Sequence, residues 1–360
     1  MGVQSIDRKF AGHWRLSARC AFIAIALLAC SDAASPPNPP PRDIQLLTLE
    51  TFDGSGQAVH PDPAETPLSW DGAASQLAVT PYPNGDAAKE NPSLFAARSW
   101  HEWFVPDGIM NPIALPASGY LSDPDQLYNP EFNELWIYYR GVTSQNEIYL
   151  IRAASPTHRS APLLVASGPN HTIVSPTVVR RAPNDWMMWS VNSGPGGCTS
   201  AATTVELRRS TDGIHWSDPV ATDLASRDPY PWHIDVEWIP SRGEFWAVYN
   251  VKVAGSCTTP ALDFAVSEDG VSWSPMPSPV LNRGEVPAFE DIVYRGAISY
   301  DPAGQLVTLL YSGARYENSR YTWRVATERM SFDTFIRLGA AAGVTPTPAA
   351  TPPLTDDSAP

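Results

Sequence analysis

Hydrophobic and polar residues alternate most clearly in residues 232–250, which read WHIDVEWIPSRGEFWAVYN. In the first half, His233, Asp235 and Glu237 fall on one face of an extended strand, and apolar residues fall on the other. A turn signal at residues 240–243 precedes a second, aromatic and β-branched run. The stretch therefore predicts two adjacent strands. Three ionisable groups on one face are costly to bury, so that face lines a polar cavity or its charges are paired.

A repeated corner motif extends this pattern along the chain. Residues 210–216 (STDGIHW) match residues 267–273 (SEDGVSW) at an offset of 57 residues, and Asp-Gly between strand-like runs is a strong hairpin signal. Degenerate copies give five units of about 50 to 60 residues, each with three recognisable strands and room for a fourth. A period of this size predicts an all-β fold, a five-bladed β-propeller over residues 55–339.

The first strand of each unit opens on polar residues. In a propeller these strands face the central axis, so their polar side chains are expected to meet in one funnel. The converging set is His60, Asp62, Asp123, Asp125, Ser175, His233, Asp235, Glu290 and Asp291. We expect Tyr82, Trp232 and Tyr294 to form sugar platforms, Asn91 to contact substrate, and Arg140 and Arg295 to clamp a carboxylate or pair with the acids. Glu237 is expected to be paired structurally.

Composition narrows the classes of function. The net charge is −14 and only 17% of residues are charged, so no basic patch is available for nucleic acid. No apolar run reaches the roughly 18 residues that a membrane helix needs. We expect a monomer with no cofactor.

The first 29 residues resemble a bacterial lipoprotein signal. A basic segment precedes the apolar run at residues 21–29, which ends in the lipobox-like sequence Leu-Leu-Ala-Cys. Cys30 would then carry the lipid and be the sole link to the membrane, placing the protein in the cell envelope. The alternative is an ordinary signal peptide with a chance cysteine. Residues 30–54 are a Pro-rich linker and lead-in, and residues 340–360 predict a disordered tail.

Two further cysteines lie within the repeats. Cys198 and Cys257 occupy comparable loops, each ahead of a strand and an Asp-Gly turn. An exported protein folds in an oxidising compartment, which predicts a disulfide between them, whereas two buried thiols are the alternative. No His/Cys spacing resembles a zinc site, and no ligand spacing supports calcium.

The corners and the Asp-bearing first strands resemble the five-bladed propellers of glycoside hydrolase families 32, 43 and 130. Four local segments are similar to a bacterial branch of that superfamily: residues 60–62 (HPD), 80–83 (TPYP), 90–93 (ENPS) and 232–236 (WHIDV). The resemblance implies a carbohydrate ligand. It covers about residues 55 to 340 and is more specific for the group than for a reaction.

Glycoside hydrolysis needs two carboxyl groups, one protonated and one ionised. The resemblance to family 43 implies Asp62 as base or nucleophile and Asp123 as the residue that tunes the pKa of the acid. The third unit departs from that pattern, because it offers Ser175 where the family has an acidic Glu. Asp235 or Glu290 would have to supply the acid.

Three functions are compatible with the sequence. The first is hydrolysis of a glycosidic bond by paired carboxylates in the funnel. The second is a non-catalytic glycan-binding surface lipoprotein, which would pair its acids with arginine. The third is a structural or protein-binding propeller of the envelope, with a plugged funnel.

Overall fold

The computed structural model describes residues 42–227 and 230–340 of the 360-residue chain. The strands of these residues form five small antiparallel sheets, arranged as a five-bladed β-propeller. The predicted all-β fold and the number of blades are therefore confirmed.

The strands follow one another in chain order, blade by blade. Strand β1 (Ile44–Leu46) comes first. Blade one contains β2 (Ala58–Glu65), β3 (Ser75–Pro81), β4 (Ser93–Ser99) and β5 (Glu102–Phe104). Blade two contains β6 (Tyr120–Asn129), β7 (Glu134–Val142), β8 (Gln145–Ser155), β9 (His158–Arg159) and β10 (Leu163–Pro169). Blade three contains β11 (Val174–Ala182), β12 (Asp185–Asn192), β13 (Thr204–Ser210) and β14 (Val220–Ala221).

The last two blades complete the circle. Blade four contains β15 (Pro231–Ile239), β16 (Glu244–Val251), β17 (Ala261–Ser267), β18 (Ser274–Pro275) and β19 (Leu281–Asn282). Blade five contains β20 (Ile292–Asp301), β21 (Leu306–Glu317) and β22 (Arg320–Ser331). The helices are α1 (Leu68–Asp71), α2 (Leu224–Arg227) and α3 (Phe332–Ala340), with short 3-10 turns at Pro83–Gly85, Ala87–Lys89, Gly194–Thr199 and Pro287–Phe289.

The propeller is closed by its first strand. β1 pairs antiparallel with β22 and so becomes the outer strand of blade five. Arg42 fixes this strand through ion pairs with Glu328 and, at 2.8 Å, with Glu285. The strand lies ahead of residue 55, where the repeats predict the propeller to begin, so part of the predicted lead-in belongs to the fold.

Hydrophobic residues pack mainly between neighbouring blades. Trp136 of blade two stacks on Trp186 of blade three with ring centroids 4.9 Å apart. Trp246 of blade four contacts Tyr300 of blade five at 5.0 Å. Each blade therefore buries its faces against its neighbours, and the polar first strands are left to line the axis.

The Asp-Gly corners of blades three and four join each of these blades to the one before it. Asp269 accepts hydrogen bonds from the backbone N–H groups of Val271 and Ser272, both at 2.7 Å. The carbonyl of Gly270 accepts the indole N–H of Trp189 in blade three at 2.8 Å. Gly270 has a φ of +77°, and a Cβ there would lie 2.6 Å from Trp189, so the position requires glycine. These contacts give the corner a structural role.

The predicted disulfide between Cys198 and Cys257 is confirmed, and it ties a loop of blade three to a loop of blade four. The two cysteines are 59 residues apart, and cross-linking a loop of that length restricts the unfolded chain. Replacing both by serine is therefore expected to lower the free energy of unfolding by about 2 to 4 kcal/mol. Urea denaturation measures this, and reduction of the wild-type protein should give the same loss. Equal stability of the oxidised and reduced proteins would contradict the prediction.

Among residues 42–227 and 230–340, no helix is long and apolar enough to cross a membrane. The predicted signal, Cys30, most of the Pro-rich linker and the predicted tail lie outside the described residues.

Candidate functional site

The first strands of neighbouring blades run in the same direction along the axis. Ser175 Oγ in β11 donates to the carbonyl of Ile234 in β15 at 3.0 Å, and Val236 N donates to Thr177 Oγ1 at 3.0 Å. The offset is 59 residues in both pairs, as parallel strands require. Side chains at the start of these strands therefore meet in one half of the axis, and side chains further along meet in the other half.

A β-bulge re-aims one residue in each of the first three blades. His60, Asp123 and Ser175 have φ values of 55°, 47° and 50°, and the strand register shifts at each of them. Left-handed conformations are uncommon for residues with side chains and concentrate at functional sites. Here the bulges turn the side chains of His60 and Asp123 towards each other, in the half of the axis where the first strands begin.

Three metal-ligand side chains meet in this half, and we call His60, Asp123 and His233 the His–Asp–His cluster. The distance from Asp123 Oδ1 is 3.1 Å to His60 Nε2 and 3.4 Å to His233 Nδ1. All three residues are buried, and these three atoms have no hydrogen-bond partner among the described residues. Ligands on one metal at about 2.1 Å are themselves roughly 3.0 to 3.4 Å apart, so the donor atoms fit a divalent ion.

Neighbouring groups hold two members of the cluster in the orientation that a metal requires. His60 Nδ1 is 2.9 Å from Thr80 Oγ1, which leaves Nε2 directed at the cluster. Asp123 Oδ2 contacts Arg140 Nε at 3.0 Å and accepts the backbone N–H of Ser175, which leaves Oδ1 free. Outer contacts of this kind fix the tautomer and direction of metal-binding side chains.

The electrostatics of the cluster also fit a cation. Burial lowers the pKa of His60 to about 3 and that of His233 well below its usual value, so both imidazoles are neutral at neutral pH. Burial acts to raise the pKa of Asp123, but the Arg140 guanidinium holds it below its usual value. Neutral imidazoles and an ionised carboxylate are the protonation states that metal ligands need.

The other half of the axis holds an aspartate belt, which we define as Asp62, Asp125, Thr177 and Asp235. Each side chain accepts the backbone N–H of the next blade. The donors are Gln126 to Asp62 at 2.6 Å, Val178 to Asp125 at 2.8 Å, Val236 to Thr177 at 3.0 Å and Ile298 to Asp235 at 3.1 Å. The belt therefore joins the first strands of the five blades around the axis.

Arg295 is the cation of the belt. Its Nη2 lies 3.9 Å from Asp62 Oδ1 and 3.8 Å from Asp125 Oδ1, and the side chain is fully buried. Even so, burial raises the pKa of Asp62 and Asp235, and it raises that of Asp125 to about 7. One guanidinium does not compensate three buried carboxylates, so part of the belt keeps its protons near neutral pH.

The structure separates some residues that the sequence groups together. Glu290 and Asp291 were expected in the funnel, but they lie in the segment before β20. Glu290 is exposed and pairs with Arg315 at 3.3 Å, and Asp291 accepts the backbone N–H of Tyr316. Ile298 of blade five and Gln126 of blade two both donate a backbone N–H to the belt. Three residues before these donors lie Arg295 and Asp123. Arg295 therefore occupies in blade five the position that His60 and Asp123 occupy in blades one and two. Glu290 is therefore not placed to act as the missing acid.

The remaining predicted residues line or support the cluster. Tyr294 packs against the rings of His60 at 5.4 Å and His233 at 4.4 Å, and Tyr82 packs on Trp323. Trp232 is buried beside His233, and Ser175 joins blade three to blade four. Asn91 is buried, and its Oδ1 has no hydrogen-bond partner within the described part of the chain. Glu237 is exposed, and no residue in 42–227 or 230–340 forms an ion pair with it, so the expected structural pairing is not seen there.

Two contributors escaped sequence reasoning. Thr80 fixes His60, and the Glu90 carboxyl lies 3.6 Å from His60 Nδ1. Both belong to the segments TPYP and ENPS, which were singled out as similar to a bacterial branch of the propeller superfamily, and that resemblance was the available signal. Burial and the charge of Asp123 raise the pKa of Glu90.

Known structures with a similar fold are found among glycoside hydrolases. No family model matches the chain. A thermostable family-43 glycoside hydrolase superposes with a TM-score of 0.57 and 13% identity, covering 82% of this chain and 96% of that one. An alpha-L-arabinofuranosidase from Podospora anserina, in complex with cellotriose, gives a TM-score of 0.57 at 12% identity, covering 80% and 95%.

A greater similarity is found to a different kind of enzyme. An N-acetylgalactosamine deacetylase from F. plautii, in complex with blood group B trisaccharide, superposes with a TM-score of 0.75 at 22% identity, covering 83% of this chain and 97% of that one. In sequence, the chain is 26% identical over 326 residues to the A type blood N-acetyl-alpha-D-galactosamine deacetylase of Flavonifractor plautii. The match covers 77% of this chain but only 42% of that relative's length.

Proposed function

We propose that this protein is a metal-dependent hydrolase that removes the N-acetyl group from an amino sugar of a glycan. The observation that carries the proposal is the His–Asp–His cluster, where two neutral imidazoles and one carboxylate present unpartnered donor atoms to one point. Two imidazoles and a carboxylate are a ligand set of catalytic zinc and other divalent metals. Similarity to an N-acetylgalactosamine deacetylase supports the substrate class.

His60, Asp123 and His233 would hold the metal. When bound, such an ion polarises an acyl carbonyl and makes water a better nucleophile at neutral pH. Thr80 and Arg140 keep the ligand atoms directed inward, so the chain contributes a fixed geometry that needs little reorganisation. Amide hydrolysis also needs a proton for the leaving amine.

Glu90 is the candidate proton carrier. It is buried beside His60, its Oε2 has no hydrogen-bond partner among the described residues, and burial raises its pKa. A carboxyl that titrates closer to neutral pH can hold and release a proton during turnover. Glu90 would therefore take up the proton of the attacking water and deliver it to the departing nitrogen.

Metal removal tests the proposal directly. Treatment with a chelator is expected to abolish acetate release from glycans that end in N-acetylgalactosamine, and added zinc or another divalent ion is expected to restore it. The measurement is acetate release, with the metal content of the protein determined in parallel. Turnover by metal-free protein would contradict the proposal.

Glycosidic hydrolysis by paired carboxylates is the second candidate, supported by the fold of family-43 hydrolases. The carboxylates that meet on the axis are Asp62, Asp125 and Asp235, and their closest oxygens lie within 4.8 Å of one another. Paired catalytic carboxyls are about 5 to 9.5 Å apart, with room for the bond between them. The belt is tighter than that and its oxygens accept backbone N–H groups, so the geometry favours deacetylation.

We also propose that the protein is exported and anchored through Cys30. The basis is the lipobox-like sequence at residues 27–30. Expression of the full chain in a bacterial host with radiolabelled palmitate is expected to label the wild-type protein, and Cys30→Ser is expected to lose the label completely. Cys20→Ser is the matched control and should keep it. Labelling of the Cys30→Ser variant would contradict the proposal.

A further inference from the structure

The hairpin of β21 and β22 extends beyond its own blade on the side of the His–Asp–His cluster. The first strand of the blade, β20, begins at Ile292, which pairs with Ala314 of β21. β21 and β22 remain paired beyond that point, as far as Glu317 opposite Arg320. The first strands begin in the half of the axis that holds the cluster, so this extension projects from the same half. We call residues 315–320 the hairpin tip.

The tip has a defined structure. Asn318 and Ser319 join the two strands with φ values of 53° and 65°, the left-handed pair that a two-residue hairpin turn requires. At its base, Tyr316 N donates to Asp291 Oδ2 at 2.6 Å, which ties the tip to the segment before β20. The tip is therefore positioned before any ligand binds, and little ordering cost remains for binding.

One face of the tip is aromatic. Tyr316 lies opposite Tyr321 across the hairpin, with ring centroids 5.0 Å apart. Tyr321 contacts Trp323 at 6.2 Å, and Trp323 contacts Tyr294 at 5.2 Å. Tyr294 is the residue that packs against both imidazoles of the cluster. A continuous line of rings therefore leads from the cluster to the tip.

The line of rings ends in solvent. Trp323 and Tyr321 are 1% and 6% exposed because they belong to a hydrophobic core cluster, whereas Tyr316 is 37% exposed. Burial and the charge of Asp291 raise the pKa of Tyr321 to about 12, so a carboxylate also lies beside this face. An exposed ring with a hydrogen-bond acceptor near it suits a ligand with an apolar face and hydroxyl groups, which is the chemistry of a sugar ring.

The tip and the cluster are too far apart to contact the same sugar. Tyr311 pairs with Gly296, the neighbour of Arg295, and Arg295 occupies the position of the cluster residues in blade five. Tyr316 follows Tyr311 by five residues along β21, which at about 3.3 Å per residue places it roughly 15 Å from the level of the cluster. A ligand that contacts both must therefore be longer than one sugar.

We propose that the aromatic face of the tip is a second sugar-binding subsite, with Tyr316 as the ring on which a sugar stacks. The proposal rests on the proposed function, because the sugar at the cluster is the amino sugar that loses its N-acetyl group. The tip holds a sugar further along the same glycan. The protein therefore prefers oligosaccharides to monosaccharides.

Calorimetric titration of the chelator-treated full chain measures this preference without turnover. The two ligands are N-acetylgalactosamine and a trisaccharide with α-linked N-acetylgalactosamine at its non-reducing end. The wild type is expected to bind the trisaccharide at least about tenfold more tightly than the monosaccharide. Tyr316→Ala is expected to remove most of that difference and to leave the affinity for the monosaccharide unchanged.

Two further variants serve as controls. Tyr316→Phe keeps the ring and should retain most of the affinity for the trisaccharide. Phe132→Ala removes a ring that is 51% exposed in the turn between β6 and β7, at the end of the axis away from the cluster, and should leave both affinities unchanged. Circular dichroism establishes that all three variants fold.

The outcomes separate the subsite from the reaction. Equal affinity of the wild type for both ligands would overturn the proposal, because nothing beyond the first sugar would then be bound. An unchanged affinity of Tyr316→Ala for the trisaccharide would place the second sugar on another surface. An equal loss for both ligands in Tyr316→Ala would make Tyr316 a structural residue only. A wild type that prefers the trisaccharide and releases no acetate would support the subsite and contradict the deacetylation instead.

Discussion

Asparagine in place of Asp123 is expected to lower the rate of the proposed deacetylation by more than about a hundredfold and to lower the metal content of the purified protein. Loss of an outer partner of a metal ligand already costs about 10- to 100-fold in affinity or activity, so loss of a ligand should cost more. The substitution keeps the shape of the side chain but removes the negative charge between two imidazoles. Acetate release and metal content measure the two effects.

The control for Asp123→Asn is Asp185→Asn. Asp185 is partly exposed and pairs with Arg181 on an outer edge, so the same chemical change there should leave turnover and metal content at wild-type values. Circular dichroism establishes that both variants fold. An Asp123→Asn protein with full metal content and full turnover would contradict the assignment of the cluster.

Asp62→Asn distinguishes the two candidate reactions. A paired-carboxylate hydrolase with Asp62 as base would lose its turnover in this variant. In a deacetylase that works at the His–Asp–His cluster, Asp62 only joins blade one to Gln126 of blade two, and turnover should fall less than about tenfold. If the wild type, Asp62→Asn and Asp123→Asn all bind glycans and none of them turns a glycan over, the protein is a glycan-binding propeller instead.

The fold was predictable because its signals are local. The Asp-Gly corners and the alternation in residues 232–250 depend on neighbouring residues, and each is repeated often enough to fix the number of blades. Blade five was misaligned in detail, because its first strand carries Arg295 where the other four blades carry His60, Asp123, Ser175 and His233. The three-residue strand β1 has no pattern to detect, and its pairing with β22 is set by ring closure.

The metal-ligand cluster could not be found from spacing. Its members come from three different blades, so no fixed local interval relates them. The bulges decide which side chain at the start of each strand turns inward, and sequence places a bulge only loosely. Sequence reasoning named all three residues as funnel residues. It did not anticipate that His60 and His233 would both approach one oxygen of Asp123.

The aspartate belt is expected to make the protein less stable as the pH rises. The pKa of Asp125 is raised to about 7 by burial and the charge of Asp235. Unfolding returns this pKa to its ordinary value near 4, so the folded protein holds more protons between about pH 4 and pH 7. The unfolding free energy therefore falls as the pH rises through this window. Asp123, with a lowered pKa, contributes the opposite dependence only below about pH 4.

Arg295→Met should make the fall of the unfolding free energy with rising pH much larger. The methionine fills similar space but leaves the belt carboxylates with no cation, and removing one partner of a buried charge pair costs about 3 to 5 kcal/mol. The loss is expected in full at pH 8, where the carboxyls must ionise. It is expected to be smaller at pH 5, where they keep their protons. Urea denaturation of wild type and variant at both pH values measures the difference.

Arg315→Met is the matched control in the same blade. Arg315 pairs with Glu290 at 3.3 Å, and both side chains are exposed, so solvent screens their charges. The change there should cost at most about 0.5 kcal/mol at either pH. An equal loss for Arg295→Met at pH 5 and pH 8 would mean that the guanidinium acts through packing alone. A loss of stability that grows with pH in Arg295→Met, and not in Arg315→Met, would establish Arg295 as the cation that allows three carboxylates to share the axis.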